Sequence, residues 1–126
     1  MQLNQQDLVS YLNRGWLRYG QKLYPKAVAD FTQAIRINGH YISAYANRAL
    51  ANSDAGNHAA AIADLQQCLA LVPFRDKGQF YCLLAQAQLK TNDPKGACEA
   101  LRQALDWSYT PAAEKEIKRL MKSACW

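Results

Sequence analysis

The sequence predicts an all-α solenoid, built from three helix-turn-helix repeats and closed by a seventh, capping helix. The first observation is a 34-residue period. Laying residues 8–41 over the adjoining residues 42–75 puts Tyr11 on Tyr45, Asn13 on Asn47, Arg14 on Arg48, Gly15 on Ala49, Ala27 on Ala61, Phe31 on Leu65, Ala34 on Cys68 and Ile35 on Leu69. A third unit, residues 78–111, follows two residues out of phase because Asp76 and Lys77 are extra, with Tyr81, Leu84, Ala85, Ala97, Leu101, Ala104 and Leu105 at the matching places. The second observation is that helix-breaking and capping residues divide the chain at the same period. With half of its 126 residues apolar, the chain can bury a core, and one domain spanning residues 1–126 is expected.

Taken in order, the helices are expected at about residues 5–21, 25–37, 42–55, 58–71, 76–91, 94–107 and 111–124. Pro25 suits the first helical position of the second helix, and Asn38-Gly39 ends it. Gly56 closes the third helix and Asn57 caps the fourth, while Asp93-Pro94 and Thr110-Pro111 are caps followed by proline. Small residues recur where the two helices of a pair cross closely, so Gly15, Ala49 and Ala85 are expected to face Ala27, Ala61 and Ala97. The last helix carries Ala113, Ile117, Leu120, Met121 and Ala124 on one stripe and Lys115, Lys118, Arg119 and Lys122 largely off it. A terminal repeat exposes an apolar face, and such a helix covers it.

The net charge of +5 is concentrated at the two ends. Residues 8–41 carry Arg14, Arg18, Lys22, Lys26 and Arg36 against Asp30 alone, and the last helix is also basic. Cys68, Cys82, Cys98 and Cys125 lie in apolar-periodic segments without a C-x-x-C pair, which argues against zinc and for small buried thiols in a reducing compartment. The first residues lack the basic and apolar regions of a secretory signal, and no apolar run would span a bilayer, so a cytoplasmic protein is expected. His40 and His58 have no spaced partners, and no phosphate loop, nucleophile elbow or paired-histidine motif occurs. No enzymatic activity, metal or cofactor is expected.

With Tyr45, Ala49, Gly56, Ala61, Leu65 and Pro73 at their spacings, the second unit resembles the tetratricopeptide repeat, as do the other two with the trailing helix. Gly39 and Tyr109 stand where the family has proline, and Arg14, Arg18, Arg48 and Asn52 replace apolar or aromatic residues. The resemblance implies a right-handed stack whose first helices line a concave groove for an extended or helical peptide of a partner protein. It places Leu12, Asn13, Trp16 and Tyr19, then Ala46, Asn47, Leu50 and Ser53, then Cys82, Leu83, Gln86 and Leu89 along that groove.

This is an apolar trough with two equivalent asparagines. Each amide can bond a bound peptide's backbone, or else tie neighbouring helices together. Trp16 and Leu50 are candidates to hold an apolar anchor. One subgroup of the family clamps the C-terminal carboxylate of heat-shock chaperones with converging lysines, an arginine and asparagines. Asn47 in its Tyr45–Ala49 segment is similar, but Leu12, Trp16, Gln79 and Leu83 occupy the other clamp positions, which argues against a carboxylate tail. The function expected is therefore a protein-binding adaptor or scaffold, monomeric or weakly dimeric. Two alternatives remain: a basic module that engages RNA or an anionic membrane surface, and self-association.

Overall fold

A computed structural model describes residues 5–73, 76–107 and 110–125. Its helices are α1 (Gln5–Gly20), α2 (Tyr24–Ile37), α3 (Ile42–Asp54), α4 (His58–Leu71), α5 (Lys77–Lys90), α6 (Pro94–Asp106) and α7 (Pro111–Ala124). Among the described residues there is no strand. The chain forms two compact units, Met1–Asp64 and Leu65–Trp126, whose boundary falls within α4.

The turn inside each repeat has one geometry. Lys22, Gly56 and Asn92 all adopt positive φ, at 63°, 88° and 61°. Each is followed by a residue whose N–H reaches back five positions: Leu23 to the Arg18 carbonyl (2.8 Å), Asn57 to Asn52 (2.8 Å) and Asp93 to Gln88 (2.9 Å). These are Schellman turns, which satisfy carbonyls orphaned at a helix end. Their spacing reproduces the two-residue offset of the third repeat. Asp93 caps α6 by accepting from the Gly96 N–H at 3.0 Å, and Thr110 caps α7 by accepting from Ala113 at 3.1 Å. Pro25 sits one position later than expected, because α2 starts at Tyr24.

Within Met1–Asp64, Leu8, Ala34 and Ala44 form one small core and Ala27, Phe31 and Ala51 another. Gly15 and Ala27 are both buried, and a further group bears on the expected pairing of small residues. The group lying on Gly15 is the Phe31 ring, 2.6 Å from where a Cβ would stand. Glycine is thus required for ring access more than for contact with Ala27.

Two buried carboxylates brace the same unit. Asp30, 2% exposed, accepts from Arg14 Nε at 3.1 Å and Nη2 at 2.7 Å, with Arg18 Nη1 at 3.2 Å. One repeat later Asp64, 5% exposed, accepts from Arg48 Nε at 2.9 Å and Nη2 at 2.6 Å. Each bidentate arginine also lies over a tyrosine, Arg14 over Tyr11 and Arg48 over Tyr45. Hydrogen bonding to Asp30 and Asp64 raises the pKa of Arg14 and Arg48 further above the ordinary arginine range. Arg14 and Arg18 thus share one carboxylate, Asp30, and the net positive charge expected of the first repeat remains.

Within Leu65–Trp126, Leu84, Ala85, Ala97, Ala100, Leu101, Ala104 and Ile117 are buried. The expectation of four thiols is also corrected, because Cys98 and Cys125 are joined in a disulfide with Cα atoms 5.2 Å apart. The bond ties the end of α7 to α6. Cys68 and Cys82 remain free, the first buried and the second half-buried.

Candidate functional site

Leu65–Trp126 contains a cleft of about 490 Å³, lined by the start of α5, the end of α6 and one face of α7. Cys82, Leu83, Ala104, Trp107, Ala113 and Ile117 make it chiefly apolar, and Asp76 and Glu116 contribute carboxylates. Among the described residues that line it, none is cationic. Cys82 and Leu83 were expected to line a groove, and the structure brings them to this cleft; Leu83 is 44% exposed. Gln86 is exposed and lies outside the lining.

Burial, and then the nearby Glu116 charge, push the Cys82 thiol above its usual pKa, so at neutral pH it is a protonated lining group and not a nucleophile. Arg119 donates to Glu116 through Nε at 2.8 Å and Nη2 at 2.6 Å, which holds that carboxyl below the usual range. Glu116 is therefore an ionised carboxylate whose charge is paired with Arg119. The sequence marks Ile117 only as part of a capping stripe, and the same stripe also bounds the cleft.

The expected groove residues of the first two repeats sit in Met1–Asp64. Trp16 and Leu50 are 45% and 41% exposed, which is unusual for such large apolar side chains. Leu12 is half-buried against both small cores. Ala46 and Asn47 are half-buried and Asn13 is exposed. Among the described residues neither asparagine makes a side-chain hydrogen bond, so the reading in which they tie helices together has no such bond behind it. Tyr19 is half-buried and donates its hydroxyl to Asp54.

A tetratricopeptide repeat model matches residues 42–73 and 78–110. The chain belongs to the tetratricopeptide repeat family. Over 87 residues this repeat chain is 31% identical to the Hsp70-Hsp90 organizing protein 1 of soybean (Glycine max), covering 69% of the chain and only 15% of that relative. Its fold matches the TPR2B domain of yeast Sti1, solved as a complex with pHsp70, at a TM-score of 0.81 and 23% identity, over 95% of this chain and 97% of that one. It also matches the type III secretion chaperone SycD of Yersinia enterocolitica in complex with a peptide of the translocator YopD. There the TM-score is 0.84 with 12% identity, over 99% and 97% of the two chains. The expected repeat fold and interaction-module class stand with this membership. No helix among the described residues is long and apolar enough to cross a membrane.

Proposed function

We propose that the chain is a non-enzymatic adaptor whose three repeats and capping helix act as one domain that captures a peptide segment or helix of a partner protein. The observation that carries this reading is the open apolar cleft bounded by Cys82, Leu83, Trp107 and Ile117. A few apolar contacts around polar groups that fix orientation suit capture of a short segment. The soybean relative and the yeast domain make a chaperone-linked partner a natural candidate. The cleft itself argues for an apolar anchor and against an acidic tail, since a carboxylate placed among this chiefly apolar lining would lose hydration with no lining cation to pair it. Within Met1–Asp64, considered by itself, Leu12, Asn13, Trp16, Tyr19, Ala46, Asn47 and Leu50 are the candidate peptide contacts, with the two asparagine amides, which make no side-chain hydrogen bond among the described residues, offered to peptide backbone.

Part of the basic charge is engaged within the chain, but the net positive charge of both ends stays with the basic-module alternative. Arg14 and Arg18 are engaged by Asp30, and on α7 Lys118 and Arg119 pair with Glu114 and Glu116 at 3.0 and 2.6 Å. A cytoplasmic location stays part of the proposal, although the Cys98–Cys125 bond removes the argument from four free thiols.

The test is selection of a random peptide library on the wild-type protein and on Leu83→Lys, whose exposed position tolerates the change without disturbing a core. Selected peptides should share an apolar anchor and bind the variant at least about tenfold more weakly, the effect of losing one well-buried anchor contact. Equal binding to a folded Leu83→Lys protein would overturn the cleft as the site.

A further inference from the structure

A second feature of Met1–Asp64 carries chemistry that an apolar anchor does not explain. Trp16 and Tyr19 lie three residues apart on α1, with rings nearly perpendicular at 88° and centroids 5.6 Å apart. Trp16 is itself oriented edge-on to the buried Phe31 ring at 6.2 Å, and Tyr24 from the start of α2 flanks Tyr19 at 5.7 Å, tilted by 57°. Tyr19 then reaches Asp54, the last residue of α3, by a hydrogen bond to Oδ2. Two walls and a carboxylate are thereby held in place by buried or bonded neighbours, while Trp16 and Asp54 stay open to solvent.

The charge on Asp54 distinguishes it from the neighbouring aspartates. Asp30 and Asp64 are buried beneath arginines, whereas Asp54, among the described residues, meets a neutral phenol and no cation within ion-pair distance. A carboxylate that accepts one bond from a phenol keeps most of its lone pairs and its full charge. Donation to a carboxylate also makes the tyrosine ring richer in electrons, and the face of an aromatic ring already attracts cations. The hydrogen bond to Asp54, then burial, push the Tyr19 phenol up to about 12, so it remains a donor at any physiological pH. Among the described residues no basic side chain lies within ion-pair distance of Asp54: Arg14 and Arg18 are held by Asp30, and neither Lys22 nor Lys26 pairs with it.

We infer that the corner formed by Trp16, Tyr19 and Asp54 is a subsite for an arginine side chain of the captured peptide. A guanidinium can stack on one ring while its N–H groups donate to the carboxylate, a combination that a compact lysine ammonium matches less well. The assignment rests on the peptide-capture reading but uses different residues from the cleft.

N-acetyl-arginine methylamide and its citrulline counterpart, the same shape without the charge, form the probe pair. Each is titrated into the full chain at fixed ionic strength, with the Trp16 indole N–H followed by NMR and assigned from Trp16→Phe. The arginine probe should bind about three- to tenfold more tightly than citrulline, the size of one partly exposed cation–π contact plus one carboxylate contact. Asp54→Asn should lower the ratio to about half or less, leaving the ring's share, and Tyr19→Phe, which frees Asp54 but keeps the ring, should lower it less. Equal binding of the two probes, or a ratio left unchanged by Asp54→Asn, would overturn the subsite. Leu83→Lys should leave the arginine ratio intact while losing the library peptides, so failure of the cleft and failure of the corner give different results.

Discussion

The two units of this chain hold their helices by different physical means at equivalent positions. In Met1–Asp64, Arg14 and Arg48 each clasp a carboxylate sixteen residues on, Asp30 and Asp64. In Leu65–Trp126 the matching positions hold Leu84 and Ala100, both buried, and the bracing bond is the covalent one between Cys98 and Cys125. A buried ion pair must recover the desolvation of two charges, so it contributes less net stability than its geometry suggests, but either partner left alone is costly. Leucine with alanine carries no such liability. The first unit is thus more specific in its pairing and more fragile to single substitutions, and the second is apolar and dependent on its disulfide.

The largest expected effect breaks the second unit. Cys125→Ser should lower its stability by roughly 3 kcal/mol in urea unfolding, as expected for opening a loop of this separation. Hydrogen exchange should show α7 losing protection while α5 and α6 keep theirs; unchanged protection of α7 would mean that packing of Ile117 alone holds the helix. Next comes the ion pair. Asp64→Ala strands the three-quarters-buried Arg48 and should cost about 2 kcal/mol, toward the low end for a broken pair because Arg48 retains some solvent. Adding Arg48→Leu, which copies the Leu84 and Ala100 arrangement, should restore at least half of that loss. A double variant as unstable as the single one would show that the two units are not interchangeable at this position.

The smallest effect is electrostatic and confined to the first unit. Because the Tyr19 pKa is raised in the folded state to about 12 from an unfolded value near 10, the Tyr19–Asp54 bond contributes fully below pH 10 and is lost as pH rises toward 12. Phenolate absorbance should therefore show one tyrosine titrating late in the wild type and near the ordinary value in Asp54→Asn. Identical titration curves would place the Tyr19 hydroxyl in solvent.

The helices were legible because period, caps and prolines agreed with one another; the Asp93 and Thr110 caps fall where their sequence signals put them. The left-handed turn was legible at Gly56 and hidden at Lys22 and Asn92, since local composition does not show that a lysine adopts a glycine's conformation when the repeat demands it. The ion pairs were half visible: Arg14 and Arg48 aligned in the sequence, but recognising their partners required the helical hairpin to be closed. Regular repeat spacing gave no reason to pair Cys98 with Cys125, because the contact is made by α7, which belongs to no repeat. The wall that α7 gives the cleft was hidden for the same reason. Repeat position alone singles out Cys82 and Leu83, which line the cleft, whereas the corner at Tyr19 depends on Asp54, a residue at a helix end that carries no period.

The close approach of Phe31 to Gly15 bears on how such a protein can be rebuilt or diversified. Repeat families are often pictured as interchangeable tiles, yet the same two places hold glycine with phenylalanine in the first repeat, Ala49 with Leu65 in the second and Ala85 with Leu101 in the third. Carrying the alanine of a later repeat into the first would set a methyl group inside the ring's space, while carrying the leucine alone would leave a gap above the glycine. The unit of exchange is therefore the matched pair across a hairpin, and shuffling by single helices crosses that seam.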